Sequence, residues 1–204
     1  MVGRKKSRGV GQHHGDLRRA LMDAALGLLD EGVSPLPLRE VARRAGVSAA
    51  APYHHFGSRD GLLGAVAQEG FAALGEALEA IIQASDAGPQ RVRAMAARYF
   101  EFALQHPAHY QTMFDPERSE DSDEAVAAAA LASFERLVRE IGHARPDLDN
   151  VEHQRRARMA WALTHGAVML SYRQGMTRIG GPDTAEAAAQ EVGWSVAAIV
   201  MAEP

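Results

Sequence analysis

The stretch LREVARRAGVSAAAPYHHFGSRDGLL, residues Leu38–Leu63, holds two helical patterns parted by a glycine. Leu38, Val41, Ala42 and Ala45 recur at helical spacing, while Arg39, Arg43 and Arg44 fall on the opposite face. A short amphipathic helix closing at Gly46 is therefore expected. Gly46-Val47-Ser48 reads as a tight turn: glycine admits the left-handed backbone that ends a helix, and Ser48 is placed to cap the next one. A third helix is expected over about Ala49–His55, and Ser58 is placed to cap a fourth. Two helices joined by a Gly-containing turn make a helix-turn-helix. With Ser48 as cap, Pro52 is the fourth residue of its helix. It then gives up only the first bond of the ladder, at a cost below the roughly 3 kcal/mol of a mid-helix proline.

Outward from this stretch the pattern stays helical. A first helix is expected from about Asp16, its N-cap, to Asp30, with Leu17, Leu21, Ala24, Ala25, Leu28 and Leu29 on one face and Gly32 as its stop. Residues 1–14 read as a flexible basic tail. Its Arg4-Lys5-Lys6-Ser7-Arg8 run would either reach a minor groove or add sequence-independent affinity for a polyanion. Beyond Ser58, helices are expected over about Arg59–Ala84, Gln90–Gln105, Pro107–Phe114, Glu124–His143, Val151–Gln174 and Asp183–Met201, with an acidic loop over residues 115–123. The fold class is all-α: a three-helix head at residues 15–60 and a helical bundle at residues 61–204, about nine helices in all.

Bulk properties narrow the function. At 47% hydrophobic residues in 204, the chain can bury a sizeable core. It has no cysteine, which excludes disulfides and thiolate metal sites and suits a reducing cytoplasm. No apolar run approaches the roughly 18 residues of a membrane span. Residues 1–60 carry ten Lys/Arg against six Asp/Glu, whereas the remainder carries twelve against twenty. A basic head on an acidic body points to a head that meets a polyanion. No nucleophile–base pair or phosphate loop stands out, so neither an enzyme nor a cofactor is expected. His54 and His55, adjacent on a helix, point different ways and cannot share a metal. His106 and His109 share a face, where ordinary surface histidines are the expectation.

The residues Ala42, Ala45, Gly46, Val47, Ser48, Tyr53, His55, Phe56, Ser58 and Arg59 stand in the order of the DNA-binding signature of the tetracycline-repressor (TetR) family, which the chain resembles over nearly its whole length. Trp161, His165 and Gly166 also resemble the Trp-x-x-x-His-Gly (WHG) motif of one C-terminal subclass. Two departures stand out. Pro37 occupies the place just before helix two where many members have a Ser or Thr that can cap and touch a phosphate; proline offers no such contact, though it is acceptable at the first helical position. Ala49-Ala50-Ala51 replaces longer polar side chains.

The resemblance implies that helix three enters the major groove of a double-stranded operator. Ser48, Tyr53 and His54 would then reach phosphates or bases, Ala49 and Ala50 would touch thymine methyl groups, and Arg39 and Arg59 would hold phosphates. Each has a plainer alternative: Ser48 as a cap, Arg39 as a solvated charge, Tyr53 as a head aromatic. His55 and Phe56 are expected to pack inside the head. The resemblance further implies a homodimer paired through the last two helices, where Ala162, Ala167, Leu170, Ala188, Trp194, Ala198 and Met201 are candidates. It implies a ligand-responsive repressor released by a small apolar inducer, with Tyr99, Phe102, Tyr110, Met113, Phe114, Trp161, His165 and Met169 as candidate ligand contacts. These bulky residues could equally be core. The alternative function is an activator, or a nucleoid-type DNA-binding protein without a ligand.

Overall fold

The computed structural model describes residues 10–115, 124–173 and 175–203. Among these residues there are ten helices and no strand. The head holds α1 (Val10–Asp30), α2 (Leu38–Arg44) and α3 (Ala51–Phe56), and α4 (Arg59–Ala84) leads out of it. The body adds α5 (Pro89–Gln105), α6 (Pro107–Met113), α7 (Glu124–Ala144), α8 (Asn150–Tyr172), α9 (Gly175–Arg178) and α10 (Ala185–Met201). The all-α expectation holds. The one additional helix, α9, is a four-residue turn between glycines, too short to show an apolar period.

Several boundaries differ from expectation. Helix α1 begins at Val10, so Asp16 lies inside it rather than capping it, and residues 10–14 of the expected tail are helical. Residues 1–9, with the Arg4–Arg8 run, and residues 116–123 of the acidic loop lie outside the described residues. Pro37 stands just before α2, as its N-cap, and its carbonyl accepts from the N–H groups of Glu40 (3.0 Å) and Val41 (3.1 Å).

Two apolar cores share helix α4. Leu62, Leu63, Ala65 and Val66 pack with Leu21, Leu28, Leu36 and Val41 in the head. Ala67, Phe71, Leu74 and Leu78 pack with Phe100, Phe102, Ile141 and Val192 in the body. The division falls between Val66 and Ala67, one helical step apart.

Within the body, α5 and α10 approach most closely at Gly193. A Cβ added there would lie 2.7 Å from the Arg93 carbonyl oxygen, a backbone atom with no freedom to yield. The last turn of α10 is held by two buried guanidinium groups. Arg156, fully buried on α8, donates to the carbonyls of Ile199 (3.2 Å), Val200 (2.5 Å) and Ala202 (2.7 Å). Arg145 donates to Val200 and Ala202 as well and is paired with Asp147. These cations meet carbonyls that a helix leaves unpaired at its C-terminus, where the helix dipole also favours positive charge. The charge of Arg156 is balanced by Glu152, 2.8 Å from its Nε.

Gly193→Ala is expected to lower unfolding stability by about 1–3 kcal/mol, the range for overpacking a tight site. Urea denaturation checks this, and an unchanged midpoint would mean that α5 and α10 can part at no cost.

Candidate functional site

The exposed face of the head is built by a chain of local devices. Helix α2 closes on Ala45, followed by Gly46 at φ 69°. The N–H of Val47 reaches the Ala42 carbonyl at 3.0 Å and that of Gly46 the Arg43 carbonyl at 3.2 Å, the paired bonds of a Schellman stop. Ser48 does not cap α3 through its side chain; Ala50 is the N-cap, and the Ser48 carbonyl accepts from Ala51. Pro52 therefore sits in the first turn and removes no ladder bond, since the first one runs from His54 to Ala50. Gly57 at φ 74° turns the chain into α4, which Ser58 caps by accepting from Gly61 N at 3.0 Å. Gly61 is required there: a Cβ would fall 2.1 Å from the Phe56 carbonyl oxygen.

These devices leave Arg39, Ser48, Ala49, Ala50, Tyr53 and His54 exposed, and Arg59 half-buried. Tyr53 is the one large aromatic of the head turned outward, 55% exposed. Among the described residues Arg39 has no ion-pair or hydrogen-bond partner, and the Arg59 Nε is buried without a hydrogen bond. Arg43 is held by both oxygens of Glu40 (2.8 and 2.5 Å), and Arg44 is paired with Glu31. His55 and Phe56 are half-buried, and the Arg18 guanidinium lies 5.1 Å from the Phe56 ring centre.

The body contains a cavity of about 340 Å³. Its inner end is formed by Leu78 of α4, Met95 and Ala96 of α5, and Val196 of α10. Phe71, Tyr99, Phe114, Phe134 and Trp161 supply aromatic walls. Leu131, Arg158 and Trp161, all exposed, mark a mouth between α7 and α8.

Of the expected ligand residues, Tyr99, Phe114 and Trp161 line this cavity. Phe102, Tyr110 and Met113 do not; they are buried in the surrounding core. Met169 is 41% exposed on the outer face of α8, away from the cavity. His165 also stays off the wall. Its Nδ1 lies 2.6 Å from the Tyr110 hydroxyl, which lies 3.2 Å from that of Tyr99. Burial holds the His165 imidazole below its usual pKa, so it is neutral near pH 7. One hydrogen-bonded chain thus joins the side chains of Tyr99, Tyr110 and His165. Burial pushes the Tyr99 hydroxyl up to about 12, against the lowering influence of Tyr110 and Trp161. It raises Tyr110 as well, with the nearby Tyr99 adding to it. The largest group of residues missed by sequence reasoning comes from α7, an alanine-rich helix whose Phe134 and Leu137 at i, i+3 were its apolar signal.

Body and head are tied through α6. His109 Nε2 lies 3.1 Å from Glu69 Oε1 on α4, and Glu69 Oε2 accepts from Arg19 of α1 at 2.6 Å. Asp30 accepts from the Ala108 N–H at the start of α6. Burial pushes the Glu69 carboxyl up, but the bonds from Arg19 and His109 outweigh it and keep the group below its usual pKa. The pair of α4 and α6 is close-packed: a Cβ on Gly70 would meet Met113 Sδ at 2.7 Å.

The outer faces of α8 and α10 carry apolar side chains into solvent: Ala162, Met169 and Leu170 on one, Trp194 (61% exposed), Ala198 and Met201 on the other. Ala167 and Ala188, expected with them, face inward and are buried in the body core. Their helices turn these two positions toward α5 and α8 rather than outward. Among the described residues no helix is long and apolar enough to cross a membrane.

Residues 21–66 match the model for bacterial regulatory proteins of the tetR family, and residues 92–193 match that for the tetracyclin repressor-like C-terminal domain. The chain belongs to the TetR family of transcriptional regulators. It is 27% identical over 160 residues to an uncharacterized HTH-type transcriptional regulator of Haemophilus influenzae, covering 78% of this chain and 75% of that protein. It is 34% identical over 109 residues to the HTH-type transcriptional regulator BetI of Rhizobium meliloti, covering 51% of this chain and 54% of that one, about half of each. A solved structure of a protein of unknown function from Rhodococcus sp. RHA1 superposes with a TM-score of 0.71 at 29% identity, covering 96% of this chain and 97% of that one.

The neutral state of His165 has a measurable signature. A folded pKa below the unfolded value of about 6.5 means its contribution to stability is complete above that value and is lost as pH falls through it. NMR titration is expected to place the His165 midpoint below 6.5, and His165→Gln should remove part of the stability lost between about pH 7.5 and 5.5. A midpoint at or above the free imidazole value would contradict the burial argument.

Proposed function

We propose that this TetR-family regulator is a ligand-responsive repressor that binds a palindromic operator as a homodimer and is released by a small apolar inducer. The observation that carries the reading is a cavity walled by aromatics in the body, joined by α4 and α6 to a head whose outward face is rich in unengaged groups. The reading takes residues 15–60 as the DNA-binding domain and residues 61–204 as the ligand-binding and dimerisation domain. It takes residues 1–14 as an accessory basic segment. Trp161, His165 and Gly166 support placement in the WHG subclass, since His165 anchors the wall on which Trp161 sits. A DNA-binding regulator without catalytic or cofactor chemistry acts where the chromosome is, in the cytoplasm.

Arg39 and Arg59 hold phosphates; Ser48, Tyr53 and His54 contact backbone or bases; Ala49 and Ala50 present methyl groups to thymine. With so few hydrogen-bonding side chains on α3, recognition leans on DNA shape as well as base edges. Two heads must enter successive major grooves about 34–36 Å apart, which requires pairing of two copies. The apolar faces of α8 and α10, with Trp194 at their centre, supply the pairing surface. Release requires that ligand bind the DNA-incompetent arrangement more tightly, and a coupling of about 1–3 kcal/mol shifts operator affinity roughly 5–150-fold. The bridge from His109 through Glu69 to Arg19 is the physical link between cavity wall and head.

Selection from a random DNA pool is expected to return a palindrome, and Trp194→Glu to give a monomer by light scattering that no longer selects it. Arg39→Ala should lower affinity for all sequences and reduce the salt slope by about one. Recovery of no motif, with binding that vanishes as salt rises, would favour a nucleoid-type protein instead. In the same assay Glu69→Ala is expected to weaken operator binding several-fold while unfolding stays cooperative. Unchanged binding in that variant would remove the α4–α6 bridge from the mechanism.

A further inference from the structure

The polar groups of the cavity wall define the charge of its occupant. The Tyr99 hydroxyl is engaged by Tyr110, and the Tyr110 hydroxyl by His165. The Thr164 hydroxyl donates to the Ala160 carbonyl at 2.9 Å. The Trp161 indole N–H, which can only donate, is engaged with the Tyr99 hydroxyl as well. Two groups stand apart from this internal bonding. Ser133 and Arg158 have no hydrogen-bond or ion-pair partner among the described residues, and both line the cavity. Among the described residues Arg158 is the one charged group that lines it, and no carboxylate does. Every other Arg of α8 is paired, Arg155 and Arg156 both with Glu152. Among the described residues the apolar cavity thus has a guanidinium without a counter-ion at its mouth and one uncommitted hydroxyl, that of Ser133, in its lining.

We propose that the ligand is an amphipathic anion, a carboxylate on an apolar body, seated with its carboxylate on Arg158 at the mouth and its apolar part against Phe71, Phe134 and Met95. This inference rests on the cavity being the inducer site. A guanidinium matches a carboxylate in two parallel hydrogen bonds and cannot lose its charge. A cationic ligand could stack on the aromatic walls, but it would do so beside a like charge with no acid among the described lining residues to offset it. A neutral alcohol would fill the cavity and leave Arg158 as it is.

Octanoate, 1-octanol and octyltrimethylammonium share one apolar body and differ only at the head group. Isothermal titration calorimetry on the full chain is expected to rank octanoate tightest, by roughly tenfold over octanol, the lower end for a charged hydrogen bond. Arg158→Gln should bring octanoate down to the octanol value and leave octanol unchanged. Raising salt should weaken octanoate alone, because the mouth is exposed and its charges are screened. Octanoate binding no better than octanol, binding indifferent to Arg158→Gln, or tightest binding by the quaternary amine would each overturn the proposal while leaving the cavity as a site. The cavity reading has a separate check in Ala130→Phe, which fills the space from the half-buried side of α7. Loss of octanol binding in this variant, folded by circular dichroism, supports the cavity. Octanol binding that survives, or no binding of any probe to the wild type, would overturn the cavity reading and the anion proposal together.

Discussion

One rigid rod belongs to two cores. Helix α4 buries Leu62 to Val66 in the head and Ala67 to Leu78 in the body without a break in its hydrogen-bond ladder. A helix of that length spans about 39 Å at 1.5 Å per residue. Any rotation of the body about this axis is carried to the head, because Gly61 lets Phe56 sit directly on its first turn. The close contact of Gly70 with Met113 then fixes α6 to the same rod. Head, rod and α6 are mechanically one path, and the Glu69 carboxylate with its two partners ties that path together at the surface.

The hydroxyl chain from Tyr99 through Tyr110 to His165 has a related effect on the cavity. Buried phenols and an imidazole would be costly if left unpaired. By bonding to one another they satisfy their polar atoms and remove them from recognition. The wall that remains is apolar and stiff, with its free polar character gathered at the mouth. Of the residues that looked like ligand contacts, Tyr110 and His165 are therefore the frame of the site, while Tyr99 both lines it and joins that frame.

Legibility in the sequence followed the range of the interaction. The turn at Gly46, the stop at Gly32, the cap at Ser58 and the outward set from Arg39 to His54 depend on neighbours a few residues away, and they were readable. The starts of α1 and α3 were not: helix ends respond to tertiary packing as much as to local chemistry. In the body, Tyr99 and Phe102 have the same character and sit three residues apart, yet one lines the cavity and the other is plain core. A void is a property of how five helices meet, and no period within one helix records it. Ala167 and Ala188 show the same limit, since small residues suit an outer seam and an inner one equally. Arg158 was open to detection in principle, as a cation on α8 three residues before Trp161 with no acid one turn away, but only the cavity gives that position meaning.

The two buried guanidinium groups of Arg145 and Arg156 bear on association in a way their local role does not suggest. The end of a helix commonly frays, and a surface built on a fraying segment must lose that freedom when it meets a partner. Here the last turn of α10 is anchored to α8 by Arg156 and to the α7–α8 connection by Arg145, through charge-assisted bonds to Val200 and Ala202. Trp194, Ala198 and Met201 are thus presented on a helix whose C-terminal turn is held within a single protomer. Pairing through that face would begin from a preformed surface, so little conformational entropy would be surrendered on contact.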